Sequence, residues 1–387
     1  MYSILLVIIY VAFISLGLPD SVLGAAWPSM QPELLVPLSY AGGISILISG
    51  GTVISSLASG RLIEKLGTGR LTALSVFMTA GALFGFSISG AYWQLCLFAI
   101  PYGLGAGSVD AALNHFVSLH YEAKHMSWLH CFWGIGATLG PYIMGLCLTA
   151  GKSWQVGYRL LSLFQILFTA VLILTLPLWK QKKEEGEEEK FPALSLAQVW
   201  KLPGAKEVMT AFFGYCSVEA TAGLWAASFL VLTRGIDANT AAKWAALFYL
   251  GITAGRFVSG FLTMRLKDKS MIRLGQTGIF MGILLLVLPF GKVAAFVGLI
   301  LTGFGCAPIY PSLIHATPDT FGKQAAQSVI GVQMASAYVG TTFMPPLFGL
   351  LQKVTGIGAY PLFLLLFLIL MTVMSERVSL KKRESAA

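Results

Sequence analysis

Residues 102–115 have the sequence YGLGAGSVDAALNH, a glycine-rich apolar segment that carries one carboxylate and one amide. An α-helix turns by about 100° per residue, so the polar groups and two of the glycines share one stripe of this segment. The stripe consists of Gly103, Gly107, Asp110 and Asn114. If the helix lies in lipid, we expect this stripe to be its functional face, because glycines permit close packing and polar groups in lipid need a partner.

The composition around this segment is that of a membrane protein. Of the 387 residues, 56% are hydrophobic and 11% are charged, and the mean hydropathy is +0.76. A soluble domain carries about 25% charged residues, roughly twice the fraction found here. We therefore expect an integral, multi-pass protein of the cell membrane (plasma or inner membrane), in contact with the lipid bilayer.

Charge and cysteine usage disfavour two other classes of protein. The net charge is +9, but Lys and Arg occur in short runs between apolar segments and do not form a basic face, so we expect no nucleic-acid partner. The cysteines lie inside apolar segments without CxxC pairs or metal-ligand spacing. They are Cys96, Cys131, Cys147, Cys216 and Cys306. We expect free thiols and neither a metal ion nor a cofactor.

Apolar runs of roughly 20 residues, each long enough to cross a bilayer as a helix, occur twelve times. They begin near residues 3, 39, 70, 92, 127, 155, 207, 240, 271, 292, 325 and 356. An even number of spans places both termini on one side of the membrane. Because Lys and Arg concentrate in alternate loops and in the C-terminal tail, that side is predicted to be the cytoplasm.

The chain is an internal duplication divided by the charged run KQKKEEGEEEK at residues 180–190. Several residues recur at an offset of 200, as a repeated scaffold requires. The matching pairs include Gly51 and Gly251, Gly60 and Gly260, Gly103 and Gly303, and Gly140 and Gly340. We predict a six-helix bundle at 1–179, a charged cytoplasmic linker at 180–205, a second six-helix bundle at 206–378 and a cytoplasmic tail at 379–387, with a pseudo-two-fold axis along the membrane normal.

The segment between the second and third spans, GRLIEKLGTGR at residues 60–70, resembles the signature cytoplasmic loop of the major facilitator superfamily. The acidic residue that the family places about four positions after the first glycine is present as Glu64. The resemblance implies an all-α fold of twelve transmembrane helices in two pseudo-symmetric bundles. It also implies a loop that makes and breaks contacts as the conformation changes. This conformational loop comprises Gly60, Arg61, Glu64, Gly67 and Arg70, with a degenerate second copy that begins at Gly260 and lacks the second glycine.

Ionisable side chains inside spans are informative because each costs several kcal/mol in hydrocarbon unless it is paired or hydrated. Four stand out: Asp20, Asp110, Glu219 and Arg256. Arg256 is explained most simply as a structural ion-pair partner of Glu219. Asp110, which shares its stripe with Asn114, favours a role in a cavity. Pro19 removes a backbone donor beside Asp20 and can open the first helix toward that cavity.

Four short segments carry a closer resemblance, to the fucose permease-like sugar symporters. They are the DAALN element at 110–114, Leu18–Asp20, the segment 215–225 that contains Glu219, and PIYP at 308–311. The resemblance implies that the first-helix and fourth-helix carboxylates, Asp20 and Asp110, serve proton coupling and sugar binding. This chain has Asp in the fourth helix where Glu is usual, and Pro19 where Asn is usual. The identity of the substrate therefore does not transfer.

Aromatic and polar residues of other spans complete the predicted site. A sugar has apolar faces that stack on aromatic rings and hydroxyls that need donors and acceptors. Trp133, Trp225 and Tyr310 are candidates for stacking. His130 and Gln333, together with Asn114, are candidates for hydrogen bonding.

The sequence predicts a secondary transporter that moves a small polar solute, most simply a sugar, by proton-coupled alternating access. The predicted proton-coupling residues are Asp20, Asp110 and Glu219. The predicted substrate-binding residues are Asp20, Asp110, Asn114, His130, Trp133, Glu219, Trp225, Tyr310 and Gln333. We expect a monomer that uses protons and no cofactor, and sodium is the alternative coupling ion.

Three alternatives compete with this prediction. The first is a proton-driven exporter of a drug or lipid-like compound, which the small-residue motif GIGATLGP at 134–141 weakly favours, although its spacing is also that of close helix packing. The second is a membrane sensor that binds a ligand without transporting it, although the linker and tail are short for an output domain. The third is a membrane enzyme, which the absence of HExxH, GxSxG and metal-binding acidic clusters argues against.

Overall fold

The computed structural model describes residues 2–121, 123–179, 194–288 and 291–386, which within these limits form α-helices joined by short connections that include the 3-10 helices Leu176–Trp179 and Ile357–Ala359. The first seven helices are α1 (Tyr2–Asp20), α2 (Val22–Leu34), α3 (Tyr40–Leu66), α4 (Thr68–Ile88), α5 (Tyr92–His120), α6 (Ala123–Thr149) and α7 (Trp154–Leu174). The others are α8 (Leu196–Lys201), α9 (Ala205–Arg234), α10 (Ala238–Leu262), α11 (Asp268–Val287), α12 (Gly291–Cys306), α13 (Ile309–Phe321), α14 (Lys323–Thr355) and α15 (Tyr360–Ala386). The all-helical prediction is confirmed for the described chain.

Ten helical segments of the described residues are long and apolar enough to cross a membrane, and they match ten of the twelve predicted spans. The other two predicted spans, beginning near 39 and 325, coincide with α3 and α14. These helices have 27 and 33 residues, and among the described residues they do not belong to the ten apolar segments. Twelve spans and cytoplasmic termini stay predictions. The charged run at 180–190 lies outside the described residues.

By backbone contacts, the chain forms two compact units. The first contains the described part of Met1–Lys182 together with Gly223–Leu250 and Gly349–Ile357. The second contains the described parts of Lys183–Ala222, Gly251–Phe348 and Gly358–Ala387. These units group the chain differently from the sequence repeat, whose boundaries at 180–205 stay a prediction.

In the first unit α1 packs on α6, α3 on α5, and α4 on both α5 and α7. Apolar side chains of these helices fill the interior, as shown by the fully buried Ile9, Phe13, Leu113, Leu129 and Leu172. Burial of each such side chain stabilises a folded protein by about 1.5–3 kcal/mol when the side chain would otherwise be exposed to water. In a bilayer that alternative is lipid, so close packing and hydrogen bonds are left to hold the helices together.

The glycine stripe of α5 contacts α3. A Cβ atom on Gly103 would collide with the backbone oxygen of Ile48, and one on Gly107 with that of Thr52. The Thr52 hydroxyl donates to the Gly103 oxygen at 3.3 Å, a hydrogen bond that the short distance between the helices permits. The glycine part of the predicted stripe is therefore a packing surface.

Small residues also bring α1 and α6 together, as the spacing in residues 134–141 predicts. A Cβ atom on Gly136 would collide with the backbone oxygen of Ile14, and one on Gly17 with that of Trp133. The Ser21 hydroxyl donates to the Ala137 oxygen at 2.6 Å. This close approach sets the C-terminal end of α1 against the middle of α6.

The second unit is organised around α11, which packs on α12, α13 and α15. Polar contacts join one end of α11 to α15: Arg273 Nε and Nη2 donate to the two carboxylate oxygens of Glu376 at 2.6 and 2.8 Å. One turn along, Gln276 Nε2 donates to the Ser375 hydroxyl at 2.9 Å. These bonds fix the separation of the two helices at that end.

We predict that Gly136→Ala lowers the free energy of unfolding by about 1–3 kcal/mol, because the added methyl group must push α1 away from α6. Gly81→Ala is the matched control, since Gly81 lies in the interior of α4 and a Cβ atom there would meet no atom within 4 Å. That variant is expected to be neutral or more stable by up to about 1 kcal/mol. Thermal unfolding in detergent compares the two, and equal midpoints would contradict the packing described.

Candidate functional site

The site begins where the first membrane-spanning segment is interrupted. Helix α1 ends at Asp20 and α2 begins at Val22, and Ser21 between them keeps angles of the right-handed helical region, so the segment Ile4–Leu34 has a one-residue interruption just after Pro19 and Asp20. Proline provides no N–H for the helix, and this leaves the local backbone free to end one helix and start another. The Asp20 side chain is exposed at this break.

Two neutral donors hold the Asp20 carboxylate. The hydroxyl of Tyr102, a buried residue of α5, donates to Oδ1 at 3.1 Å. The indole Nε1 of Trp133, on α6, donates to Oδ2 at 2.8 Å. Each oxygen of Asp20 therefore has one donor, and the carboxylate is fixed in orientation. The close contact between α1 and α6 places Trp133 within reach of Asp20.

An aromatic wall adjoins this carboxylate. The rings of Trp133 and Tyr249 lie 6.4 Å apart at 72°, an edge-to-face arrangement. Tyr249 belongs to α10, and its hydroxyl lies against Gly223 of α9, where a Cβ atom would collide with it. All these residues belong to the first unit, although Gly223 and Tyr249 come from the second sequence repeat. We call Asp20, Tyr102, Trp133 and Tyr249 the Asp20 cluster.

Asp110 and Asn114 bond to each other on α5. The Asn114 Nδ2 donates to the Asp110 carboxylate at 2.9 Å and to its backbone oxygen at 3.0 Å. Both side chains are partly buried, and Asp110 lies within electrostatic range of Asp20. The first unit therefore brings together the two predicted carboxylates of the first and fourth spans.

Two other predicted residues of the first unit pack against neighbouring side chains and backbone. His130 is partly buried and packs edge-to-face on Phe13, with ring centroids 5.9 Å apart. Trp225 is completely buried, and its ring fills the space beside Gly349. A solute could reach the Trp225 ring only after this packing had rearranged.

In the second unit, Glu219 and Arg256 are both partly buried. Both lie within electrostatic range of Tyr215 and Cys306. This placement is compatible with the structural ion pair expected from the sequence. Glu219 therefore shares two neighbours with a cation, whereas the donors to Asp20 are neutral.

Tyr310 and Gln333 also belong to the second unit. The Tyr310 ring lies 5.0 Å from that of Phe212 and 6.1 Å from that of Tyr215. Gln333 is completely buried; its Oε1 accepts a hydrogen bond from Thr317 at 3.1 Å, and its Nε2 has no acceptor among the described residues. A buried amide with one free donor is suited to a ligand, because such a group otherwise costs about 1–3 kcal/mol.

The segment predicted as the conformational loop is mostly helical. Helix α3 continues to Leu66 and α4 begins at Thr68, so the connection is Gly67, whose φ of 78° favours glycine. Arg70 is exposed in α4, and Gly260 is exposed in α10. Gly60, Arg61 and Glu64 lie within the helical run of α3, and their side chains are outside the described part.

Sequence reasoning missed Tyr102 and Tyr249. Tyr102 is the first residue of the glycine-rich segment 102–115 and directly precedes Gly103. Its place beside the predicted stripe could have indicated a role in the site. Tyr249 carries no periodic or repeat signal. The described residues contain no group of three His, Cys, Asp or Glu side chains that could hold a metal ion.

Comparison with known proteins agrees with this architecture. The profile of the Major Facilitator Superfamily matches two overlapping segments, residues 9–292 and 208–386. The bypass of stop codon protein 6 of Saccharomyces cerevisiae is 23% identical over 94% of this chain and 80% of its own length. The glucose/mannose transporter of Bacillus subtilis is 21% identical over 82% of this chain and 78% of its own. A putative glucose/galactose transporter of Helicobacter pylori is 26% identical over 63% of each.

A solved structure shares the fold at low sequence identity. The inward-facing, occupied crystal structure of a bacterial homolog of the human lysosomal transporter Spinster superposes with a TM-score of 0.74. The two proteins are 11% identical, and the alignment covers 99% of this chain and 97% of the other. With the profile match across both repeats, these findings confirm the resemblance noted in the sequence: the chain is a multi-pass membrane transporter, not an enzyme, and belongs to the major facilitator superfamily.

Proposed function

We propose that this transporter moves a hexose or a similar small sugar together with protons by alternating access, as a monomer of the cell membrane with twelve spans and both termini in the cytoplasm. The observation that carries the proposal is the Asp20 cluster. A carboxylate sits at a helix break, is oriented by the Tyr102 hydroxyl and the Trp133 indole, and lies beside a wall formed by the Trp133 and Tyr249 rings.

This cluster has the two properties that sugar recognition needs. A carboxylate has about four acceptor sites, and two of those on Asp20 are occupied by Tyr102 and Trp133, which leaves about two for sugar hydroxyls. The neighbouring rings offer apolar surface for the C–H face of a sugar. Both donors to Asp20 are neutral, so no positive charge cancels the negative charge of the carboxylate. The carboxylate can therefore accept hydrogen bonds from sugar hydroxyls or bind a proton.

Proton coupling is assigned to Asp110, with Asp20 and Glu219 as the other candidates. Asp110 shares an environment with Asp20 and is bonded only to an amide donor among the described residues. Burial disfavours the charged form of a carboxylate, so closure of the cavity over a sugar promotes protonation. Release of the proton on the cytoplasmic side then resets the carrier. Glu219 has Arg256 nearby and is a weaker candidate for a group that must become neutral.

The named relatives support the substrate class. Two of them are a glucose/mannose transporter and a putative glucose/galactose transporter, although the identities of 21% and 26% do not carry the substrate over by themselves. Counterflow in proteoliposomes against a panel of hexoses, with and without an inward proton gradient, tests the proposal. We expect exchange of at least one hexose and gradient-driven accumulation. Resistance to drugs without sugar exchange would favour the exporter instead, and binding without counterflow would favour the sensor.

Trp133→Phe is expected to lower kcat/KM for hexose uptake by about tenfold or more. Phenylalanine keeps an aromatic ring at this position but lacks the N–H that orients Asp20, and hydrogen bonds to charged groups are worth about 1.5–3 kcal/mol. The matched control is Trp154→Phe, since Trp154 Nε1 donates to Glu33 at 2.7 Å outside the Asp20 cluster. Rates are normalised to folded protein. Equal losses in the two variants would remove Trp133 from the site.

Asp110→Asn is expected to abolish accumulation driven by a proton gradient while hexose exchange persists, because asparagine preserves the shape but cannot carry a proton. Asp237→Asn is the control. Asp237 lies between α9 and α10, and hydrogen bonds from the Thr240 backbone hold the pKa of its carboxyl below the usual range, so this group stays ionised at neutral pH. If Asp110→Asn retained full gradient-driven uptake, the proton would have to be carried elsewhere.

A further inference from the structure

A groove runs along the outer surface of the second unit between α11 and α15. Its volume is about 830 Å³, within the range of roughly 300–1,000 Å³ that is typical of pockets for small molecules. Neither the Asp20 cluster nor any predicted substrate-binding residue lines it. The residues that line the groove therefore lie outside the predicted solute site.

The walls of the groove are mostly apolar and outward-facing. They include Phe280 on α11 and Leu365, Ile369 and Val373 on α15. Phe280, Ile369 and Val373 are exposed, with 42–54% of their surface accessible. Such an apolar channel on the outside of a membrane-spanning unit fits an acyl chain, which is the chemistry that surrounds it.

One end of the groove is charged. Arg273 makes its two-point bond with Glu376 there, and Lys269 Nζ lies 3.1 Å from the same carboxylate. Two cations therefore share one anion, and the cluster keeps one net positive charge. The nearby carboxylate of Asp268 faces His315 instead, at 2.9 Å. The surplus cation is complementary to a phosphate group.

The charged end lies at the predicted cytoplasmic side of the membrane. Lys267 and Arg377 flank the cluster in sequence, and such positive charge marks cytoplasmic ends of spans. Phe280 is seven residues beyond Arg273 on α11, about 10 Å deeper into the bilayer. Anionic lipids concentrate in the cytoplasmic leaflet. The phosphate of such a lipid lies at the level of this cluster, and its acyl chain extends from there into the bilayer alongside the groove.

The corresponding helices of the first repeat, α4 and α7, pack closely on each other and are hydrogen-bonded near their middles. The Thr79 hydroxyl of α4 hydrogen-bonds to Gln165 of α7 at 2.6 Å, and the Ser162 hydroxyl of α7 donates to the Ala80 oxygen of α4 at 2.9 Å. Those contacts hold α4 close to α7. The open groove between α11 and α15 is therefore not a requirement of the duplicated scaffold.

We propose that the groove between α11 and α15 binds an anionic phospholipid of the cytoplasmic leaflet. The phosphate lies beside Lys269 and Arg273, and one acyl chain follows Phe280, Ile369 and Leu365. This site is separate from the transported solute and does not depend on which sugar is carried.

Native mass spectrometry of the purified protein tests this site. The protein is exchanged into detergent with equal amounts of phosphatidylglycerol and phosphatidylcholine that carry identical acyl chains. We expect retention of one phosphatidylglycerol in preference to phosphatidylcholine, by about fivefold for one surplus cation. Equal retention of the two lipids by the unmodified protein would overturn the proposal.

Two variants separate the groove from its charge. Ile369→Trp fills the groove and is expected to abolish lipid retention, whereas Leu366→Trp, at an exposed position outside the groove lining, is not. Lys269→Gln leaves the Arg273–Glu376 bond intact and is expected to abolish the preference between the two lipids. If both tryptophan variants behaved alike, or if Lys269→Gln kept the preference, the lipid would be bound elsewhere.

Discussion

A carboxylate inside a membrane-spanning segment needs partners, and the way Asp20 obtains them organises the first unit. Its two donors come from α5 and α6, so three helices must meet at one point. That meeting is possible because Gly17 and Gly136 let the backbones of α1 and α6 touch. The packing of the scaffold and the geometry of the candidate site are consequently set by the same residues.

Local patterns in the sequence were sufficient to predict an all-helical chain and ten of its apolar spans. Ten of the predicted spans coincide with apolar helices of the described chain, and the small residues at 134–141 pack as their spacing indicates. The pairing of Asp110 with Asn114 also follows from helical periodicity, since the two residues are one turn apart. Each of these features depends on neighbours within one helix.

Contacts between distant parts of the chain could not be predicted in this way. Tyr102 lies 82 positions from Asp20, and no periodicity links them. Tyr249 reaches Trp133 from the other sequence repeat, where its counterpart at an offset of 200 is Ser49. Trp225 was predicted as a stacking residue from its aromatic ring and from the resemblance of segment 215–225 to the sugar symporters, and its complete burial beside Gly349 could not be read from either. The motif at 60–70 was expected to be a loop, but only Gly67 leaves the helical conformation.

The two repeats share a scaffold and differ in chemistry. Asp110 and Asn114 correspond to Tyr310 and Ile314, and Tyr310 sits among aromatic rings in the second unit. The equivalent helix pairs of the two repeats also differ: α4 and α7 are closely joined, whereas a groove lies between α11 and α15. Different residues at equivalent positions of the predicted repeats thus form the separate surfaces that we propose for a solute and for a lipid.

The central claim is that Asp20 anchors the sugar, and equilibrium binding of labelled glucose to purified protein tests it most directly. Asp20→Asn is compared with Glu33→Gln, because Glu33 is also a carboxylate bonded to an indole N–H but lies outside the Asp20 cluster. Loss of two charge-assisted bonds to sugar hydroxyls predicts an affinity at least about 100-fold lower in Asp20→Asn. Glu33→Gln is predicted to bind as the unmodified protein does. Unchanged glucose affinity in Asp20→Asn would contradict the account.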